Sequence, residues 1–305
     1  LSAGRVQSVV VRLIIDREKQ IEDFNSNNQF KTTGIFLSNK KEEFKSVLYS
    51  IDKKKSNDKI LKGEIFKLKK EEDAEKLLKI FSKSTFTIHN TNDKKSFRNP
   101  SKPFITSSLQ QEASNKFGFT TKRTMQVAQK LYESGYITYM RTDSFNLSKE
   151  AVNDCKKYII EKYGKKFHME RQFKSKSKNA QEAHEAIRPT KIGRDSITGD
   201  NDRVRLYNLI WKRTVASQMS SAIINNTYIQ IEITHNKKLP YFFESNIEKI
   251  EFEGFLKVYN IKNEEDDNDN EDISKKKIKN LPKKGEIMNP KKITSTEEYT
   301  KSIGR

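Results

Sequence analysis

The sequence predicts a mixed α/β fold with more than one domain, in which a helical domain is inserted into a β domain. Three observations support this prediction. Apolar residues recur at helical spacing over residues 4–22, strand-like segments fill residues 30–98 and resume after residue 226, and the residues between them have mainly helical periodicity. We therefore expect these domains: a helical segment 1–29, a β domain of 30–98 and 226–262, a helical domain 99–225, and a final segment 263–305.

The individual elements follow from local patterns. In the β domain we expect one helix over 71–82 and these strands: 30–38, 44–51, 60–68, 84–89, 227–235 and 241–261. In the helical domain we expect these helices: 104–117, 121–134 capped by Thr121, one capped by Ser148, and 203–221. The acidic run 264–272 has low complexity and is predicted to be disordered.

The charge balance indicates a polyanionic partner. The chain has 60 Lys and Arg against 41 Asp and Glu, a net charge of +19, and only 33% of its residues are hydrophobic. Nucleic acid is the simplest such partner. A lysine-rich surface that reflects genome base composition explains the same excess, so charge supports binding and says nothing of chemistry.

Some classes of protein can be set aside. Cys155 is the single cysteine, which excludes an internal disulfide and a zinc site built from cysteines alone. No stretch approaches the roughly 20 consecutive apolar residues of a membrane-spanning helix. No glycine-rich loop of the Gly-x-x-x-x-Gly-Lys-Ser/Thr type occurs, so ATP hydrolysis has no evident site.

Residues 137–144 carry the first candidate site. If this stretch is extended, alternate side chains share a face, which places Tyr139, Arg141 and Asp143 together. A phenol, with a pKa of about 10, is a poor nucleophile at neutral pH unless cations stabilise the phenolate and the phosphate that it attacks. The fork of donors on Arg141 matches phosphate oxygens. A tyrosine in an ordinary strand beside a core helix remains the alternative.

A second candidate site lies near residue 184. Gln181, His184 and Arg188 fall at i, i+3 and i+7, so a short helix ending at Pro189 would point them the same way. A histidine and an arginine on one face can hold a phosphate, although a solvated helix face explains them equally well. A zinc-protease motif is disfavoured because Arg188 stands where the second histidine would be.

Three segments carry a resemblance to a known family. Residues 136–144 (Tyr-Ile-Thr-Tyr-Met-Arg-Thr-Asp-Ser) resemble the active-site motif of type IA DNA topoisomerases, and Met140 resembles the bacterial topoisomerase I branch. Residues 183–190 are similar to the second signature of that family, and residues 1–8 to a third. The motifs occur in family order with family-like spacing. The similarity covers most of residues 1–262, and residues 299–305 match only in part.

The resemblance implies a toroidal fold and a covalent mechanism. In this fold, 99–225 would be a gate domain inserted in an arch domain of 30–98 and 226–262, and 1–29 and 263–305 would belong to the base domain and its linker. Tyr139 would cleave one DNA strand through a 5′-phosphotyrosyl link, allow strand passage and religate without ATP. The implied catalytic residues are Tyr139, Arg141 and His184, and the implied DNA-binding residues are Arg5, Gln7, Asp143 and Arg188.

The resemblance also implies partners. The substrate would be single-stranded or negatively supercoiled DNA, and the location cytoplasmic and DNA-associated. Mg²⁺ would be held by an N-terminal domain that precedes residues 1–8 in family members. We therefore expect this chain to be a fragment that binds single-stranded DNA and relaxes supercoils poorly or not at all.

Two other functions remain open on the residues alone. A non-catalytic module that binds single-stranded nucleic acid would need only the charge and the aromatic residues. A tyrosine recombinase or relaxase is disfavoured, because the four histidines are scattered and the arginine set is incomplete.

Overall fold

A computed structural model describes residues 4–56, 60–173, 185–259 and 280–302, without the side chains of Arg5 and Val6. The chain forms two compact units. Unit 1 comprises Leu1–Lys94, Asn226–Glu248 and Glu271–Arg305, and unit 2 comprises Lys95–Asn225 and Lys249–Asn270. The division into gate, arch and base domains that the resemblance implies remains a prediction.

Unit 1 is built on a seven-stranded sheet. Its elements are α1 (Arg5–Glu22), β1 (Asn28–Leu37), β2 (Glu43–Ser50), β3 (Lys67–Leu68), α2 (Glu71–Phe81), β4 (Thr85–Arg98), β5 (Ala222–His235), β6 (Lys237–Phe252) and β7 (Asn289–Tyr299). The strand order is β3-β1-β2-β6-β5-β4, and β7 also pairs with β1. The boundary between the two units falls within β4, β5 and β6.

One face of this sheet forms the core of unit 1. Phe36 of β1 lies against Phe86 of β4 and Phe243 of β6, with ring centroids 5.1 Å apart in both pairs. Phe81 of α2 lies against Phe243 at 5.7 Å, so the helix covers this face. Such tilted and edge-on pairs are favourable arrangements for buried rings. These aromatic contacts therefore join three strands and a helix of unit 1 in one core.

The predicted strand over 60–68 is wrong except at its end. Only Lys67–Leu68 forms a strand, although Ile65 before it makes an isolated antiparallel bridge to Tyr49. At the start of the segment, Leu61 N donates instead to the side chain of Gln230 (2.9 Å). This bond to a side chain replaces a bond of the strand ladder, a competition that strand propensity does not reveal.

The helix predicted over 4–22 is confirmed as α1, but its expected packing is not. Val9, Leu13 and Ile14 are each more than half exposed. Amphipathic spacing therefore predicted the helix correctly without indicating what covers its apolar stripe. Among the described residues, neither α1 nor any other helix has the length and apolar character that crossing a membrane requires.

Unit 2 is mainly helical, with one large core and a smaller buried cluster of Leu147, Ala151, Val152 and Ala186. Its elements are α3 (Thr106–Phe117), α4 (Thr121–Glu133), α5 (Lys149–Tyr163), a 3₁₀ turn (Lys165–Phe167), α6 (Asn201–Ser217) and a second 3₁₀ turn (Gly254–Lys257). Leu131, Cys155 and Leu206 are fully buried in the large core. Two side chains of α6 fix the chain that precedes it, because Trp211 Nε1 donates to Ile192 O (2.8 Å) and Tyr207 Oη donates to Arg194 O (2.5 Å).

Several helix boundaries differ from the predictions. Ser148 caps α5 as expected, accepting a hydrogen bond from Ala151 N. The cap of α4 is Thr120, one residue before the predicted Thr121. Helix α6 begins earlier than predicted because Asp200 caps it, and it ends at Ser217. Helix α3 begins at Thr106 because Phe104 pairs with Ile187 instead of joining the helix.

Gly118 provides a test of the end of α3. Its φ of +65° is the left-handed conformation, and a Cβ there would meet no atom within 4 Å, so Gly118→Ala would impose backbone strain alone. We expect a loss of about 1 kcal/mol in unfolding free energy, measured by urea denaturation. Gly193→Ala is the control, because its added Cβ also meets no atom within 4 Å and its φ lies outside the left-handed region. An equal effect of both variants would contradict this explanation.

Candidate active site

The segment 137–144 is extended without being a regular strand, and its burial alternates. Tyr139, Arg141 and Asp143 are exposed, whereas the side chains between and around them are buried: Ile137, Met140, Thr142 and Ser144. The exposure of the three side chains agrees with the alternation expected from the sequence. The segment thus presents a phenol, a guanidinium and a carboxylate to solvent.

The chain immediately before Tyr139 is fixed by residues 186–190. Thr138 N donates to Arg188 O (2.9 Å), and Arg188 N donates in return to Thr138 Oγ1 (3.0 Å). Thr138 Oγ1 itself donates to Ala186 O (2.7 Å). Ile137 and Pro189 form an antiparallel bridge between the same two segments. The backbone that carries Tyr139 therefore has little freedom on its N-terminal side.

The chain immediately after Tyr139 is fixed by the first residue of α3. Thr106 Oγ1 donates to Met140 O (2.8 Å) and accepts from Thr142 N (2.9 Å). Thr106 N also donates to Thr142 O (3.0 Å). Both backbone neighbours of Tyr139 are thus held by partners that are remote in sequence, while the tyrosine side chain is left outside.

The ring of Tyr139 lies against one aromatic side chain among the residues that the structure describes. Tyr139 is 45% exposed, and its ring lies edge-to-face against Tyr132 of α4, with centroids 5.3 Å apart and planes at 64°. This geometry is a favourable aromatic arrangement and restricts the orientation of the ring. Sequence reasoning missed Tyr132, and the only signal was a tyrosine on the exposed side of a helix shortly before the motif.

Arg188 is turned into the protein. Its side chain is 14% exposed. Nη2 and Nε donate to Glu185 Oε2 at 2.6 and 3.1 Å, and Nη1 donates to Pro189 O (3.0 Å). Glu185 Oε1 accepts a hydrogen bond from Ser148 N (2.7 Å), which joins this group to the start of α5. The structure therefore gives Arg188 protein partners, where the resemblance implied DNA contact.

The charge of Arg188 influences the pKa values of two neighbouring groups, Glu185 and Cys155. Burial raises the pKa of Glu185, but the hydrogen bond from Ser148 and the charge of Arg188 outweigh it, so the pKa lies below its ordinary value. Burial raises the pKa of the Cys155 thiol to about 12, although the charge of Arg188 opposes this. Glu185 is consequently ionised at neutral pH, and Cys155 is an unreactive thiol of the core.

The short helix expected around Arg188 is wrong for its described part. Residues 185–190 are extended, because their N–H groups bond to distant carbonyls: Ala186 N donates to Asn146 O, and Ile187 N to Phe104 O, both at 2.8 Å. These bonds replace the i→i−4 pattern of a helix. The spacing of residues within one short segment could not reveal such remote partners.

The described structure does not test whether several other expected residues lie near Tyr139. Gln181 and His184 lie outside the described residues, and so does the side chain of Arg5. Gln7 is exposed on α1 in unit 1. The roles that the resemblance implies for these residues remain predictions.

No magnesium site can be assigned to the described residues. They contain no group of three or more His, Cys, Asp or Glu side chains that could hold a metal ion. The resemblance places the Mg²⁺ site in a domain that precedes residues 1–8, and the metal therefore enters no step below.

The pairing of Glu185 with Arg188 predicts a pH-dependent stability. We expect Glu185→Gln to lower the unfolding free energy at pH 7 by about 1–2 kcal/mol, because a half-buried, charge-assisted pair is lost. Folding lowers the pKa of Glu185, so its contribution to the unfolding free energy is complete above its pKa in the unfolded chain, which is about 4.3. This contribution is lost as the pH falls through the lower pKa of the folded protein. Urea denaturation between pH 3 and pH 7 measures the difference.

Glu253→Gln is the matched control for this measurement, since its i,i+4 partner Lys257 is about half exposed. We expect its effect to stay within a few tenths of a kcal/mol. If the difference in unfolding free energy between wild type and Glu185→Gln is the same at low pH as at pH 7, the ion pair of Glu185 with Arg188 is not its cause.

The comparisons with known proteins agree over the whole chain. A family model described as DNA topoisomerase matches residues 1–305. The DNA topoisomerase 1 of prokaryotic type from Acanthamoeba polyphaga mimivirus is 42% identical over 318 residues, which cover 98% of this chain and 36% of that protein. DNA topoisomerase 1 of Rickettsia felis is 40% identical over 315 residues, which cover 98% of this chain and 38% of that protein.

A solved structure gives the same result. Full-length topoisomerase I from Thermotoga maritima is 30% identical and superposes with a TM-score of 0.73, covering 100% of this chain and 46% of that one. The chain thus spans less than half of each of these relatives, and its mixed α/β fold is shared with part of the Thermotoga protein. On this similarity, the chain belongs to the type IA DNA topoisomerases of the bacterial topoisomerase I type.

Proposed function

We propose that this chain is the strand-cleaving part of a type IA DNA topoisomerase, with Tyr139 as its nucleophile. One observation carries the proposal: the motif tyrosine is 45% exposed although the residues on both sides of it are hydrogen-bonded into unit 2. Such a side chain can meet a phosphodiester without a rearrangement of the backbone. Holding a reacting group in position is a large part of catalysis.

The proposed reaction is a reversible transesterification. Tyr139 Oη attacks the phosphorus of one DNA strand, a new phosphotyrosyl ester forms with the 5′-phosphate, and the bond to the 3′-oxygen breaks. The phenol proton leaves as the 3′-oxygen gains one. Rejoining is the reverse attack by the 3′-hydroxyl, after a second strand has passed. One ester replaces another, so no ATP is needed.

Arg141 and His184 would stabilise the transition state. The guanidinium of Arg141 is exposed two residues from Tyr139 and can bond two non-bridging phosphate oxygens. His184 would supply a second donor. Asp143, also exposed, would help to position the DNA strand. Donors aimed at developing negative charge usually give the largest catalytic effects.

The structure suggests a different role for Arg188 from direct DNA contact. Its guanidinium is bonded to Glu185 and to Pro189 O, and its backbone pairs with Thr138. We assign it to the positioning of the segment that carries Tyr139. DNA contacts would come from the exposed Gln7 and from Arg5 on α1, and the net charge of +19 favours a polyanion.

Replacement of the nucleophile is the direct test of function. In the full-length enzyme that contains this chain, Tyr139→Phe should abolish the covalent adduct with end-labelled single-stranded DNA, because only the phenol oxygen is lost. Denaturing gels measure the adduct, and filter binding should show retained affinity. Tyr132→Phe is the matched control, since it keeps the ring contact and should keep most of the adduct. DNA binding with no adduct in the wild type would favour a non-catalytic module.

Arg141 tests the electrostatic part of the proposal. Arg141→Gln in the same enzyme should lower the rate of strand cleavage about a hundredfold, or about 3 kcal/mol, because one charged donor to the transition state is lost. Single-turnover cleavage at saturating DNA separates this loss from weaker binding. Arg123→Gln is the control, because Arg123 lies in the same unit but pairs with Asp202. Equal losses in both variants would rule out a specific role for Arg141.

A further inference from the structure

The sheet of unit 1 has a second, unusual face. On β2, β5 and β6 the residues between the buried core positions point to the opposite side. Tyr49 pairs with Phe242 in the β2–β6 register, and their rings stack with centroids 5.4 Å apart. Tyr228 and Gln230 lie two apart on β5, and Glu244 lies two after Phe242 on β6. Aromatic and hydrogen-bonding groups are thus gathered on one sheet face.

Residues 60–64 cover this face in part and leave a cavity of about 400 Å³. The covering segment is held closely. Gln230 Nε2 donates to Leu61 O (2.7 Å) and its Oε1 accepts from Leu61 N (2.9 Å). A Cβ on Gly63 would lie 1.5 Å from Ser50 O, so only glycine allows the segment to approach β2 this closely. The volume is within the range of small-ligand sites.

The polar groups that line the cavity have unused hydrogen-bonding capacity. Glu244 Oε2 accepts a hydrogen bond from Gln230 (2.8 Å), whereas within the described part of the chain Oε1 has no partner. The phenol oxygens of Tyr49 and Tyr228 also bond to no described residue. Burial, followed by the charge of Glu244, raises the pKa of Tyr49, so this phenol and the carboxylate share one environment.

The rim of the cavity carries charges of both signs, with a slight excess of lysines. Lys62, Lys94 and Glu64 are exposed at its edge, and Lys55 is paired with Asp52 at 3.2 Å. A ligand with an uncharged, planar, N–H-bearing part and an anionic part would therefore meet aromatic rings and a carboxylate inside, and lysines outside. A nucleotide has this distribution of groups.

We propose that this cavity binds an unpaired guanine nucleotide. The two carboxylate oxygens of Glu244 would accept the adjacent ring N–H and exocyclic amine of the base, since each oxygen has two acceptor sites. The exposed edge of Tyr49 and the ring of Tyr228 would contact the base, and the phosphate would meet the rim lysines. Thymine offers one N–H between two carbonyl oxygens, which a carboxylate repels. The base could belong to a DNA strand or to a free nucleotide.

This site is separate from the chemistry of Tyr139 and does not depend on the proposed function. Its test uses the 305-residue chain with Tyr139→Phe, which prevents covalent capture. Fluorescence anisotropy compares short oligothymidylates that contain one central guanine, one inosine or none. We expect about tenfold tighter binding with guanine than without, and a smaller gain with inosine because it lacks the exocyclic amine.

Glu244→Gln should remove the preference for guanine and leave binding of the all-thymine strand unchanged. Glu75→Gln, on the exposed side of α2, is the matched control and should keep the preference. Tyr49→Ala adds a second variant in case Glu244→Gln unfolds, which urea denaturation detects, and it should also reduce the preference because the ring contact with the base is lost. GMP added as a competitor distinguishes the two sources of the base. If GMP displaces the labelled oligothymidylate although strands with and without guanine bind equally, the ligand is a free nucleotide.

Two results would overturn the proposal. One is equal affinity for guanine and thymine strands together with no effect of GMP. The other is a guanine preference that survives Glu244→Gln unchanged in a folded protein. Either result leaves the adduct assay on Tyr139 unaffected, so this inference and the proposed function fail independently.

Discussion

The pairing of residues 136–138 with residues 186–190 is the constraint on which the rest of the candidate site depends. These segments are about 50 positions apart in sequence, and they are joined by backbone hydrogen bonds and by the hydroxyl of Thr138. The pairing closes a long loop, whose entropic cost the large core of unit 2 has to offset. Once it forms, the direction of Tyr139 follows from the geometry of an extended chain.

The pairing also explains why a charged residue of the second motif is directed inwards. Arg188 has a backbone bonded to Thr138 and a guanidinium bonded to Glu185, which in turn accepts from Ser148 at the start of α5. One side chain thus connects the tyrosine-bearing segment to a helix. An ion pair of this kind, partly removed from water, is more sensitive to the loss of one partner than a surface pair is.

The features that could be predicted from the sequence depend on neighbouring residues, whereas the features that could not depend on contacts between segments remote in sequence. Period-two alternation placed Tyr139 and Arg141 on one face because it depends only on an extended backbone, and both side chains are exposed. Strand propensity failed at 60–66 and helical spacing failed near Arg188, because N–H groups there bond to partners remote in sequence. The sequence did not predict the contact of Tyr132 with Tyr139 either, because this contact depends on how α4 packs against the segment that follows it.

The two sites differ in how their polar groups are held, and this has an energetic consequence. Near Tyr139 the buried carboxylate, Glu185, has a cation and a backbone donor, and its pKa is lowered. In the cavity of unit 1, burial raises the pKa of Glu244, and only the amide of Gln230 opposes this. When folding raises the pKa of a carboxyl group, the stability from that group is complete at pH values below its pKa in the unfolded chain. This stability is lost as the pH rises through the pKa in the folded protein. Because burial disfavours the ionised form of Glu244, that form costs stability that a glutamine would not, unless a donor such as a purine amine occupies the free oxygen.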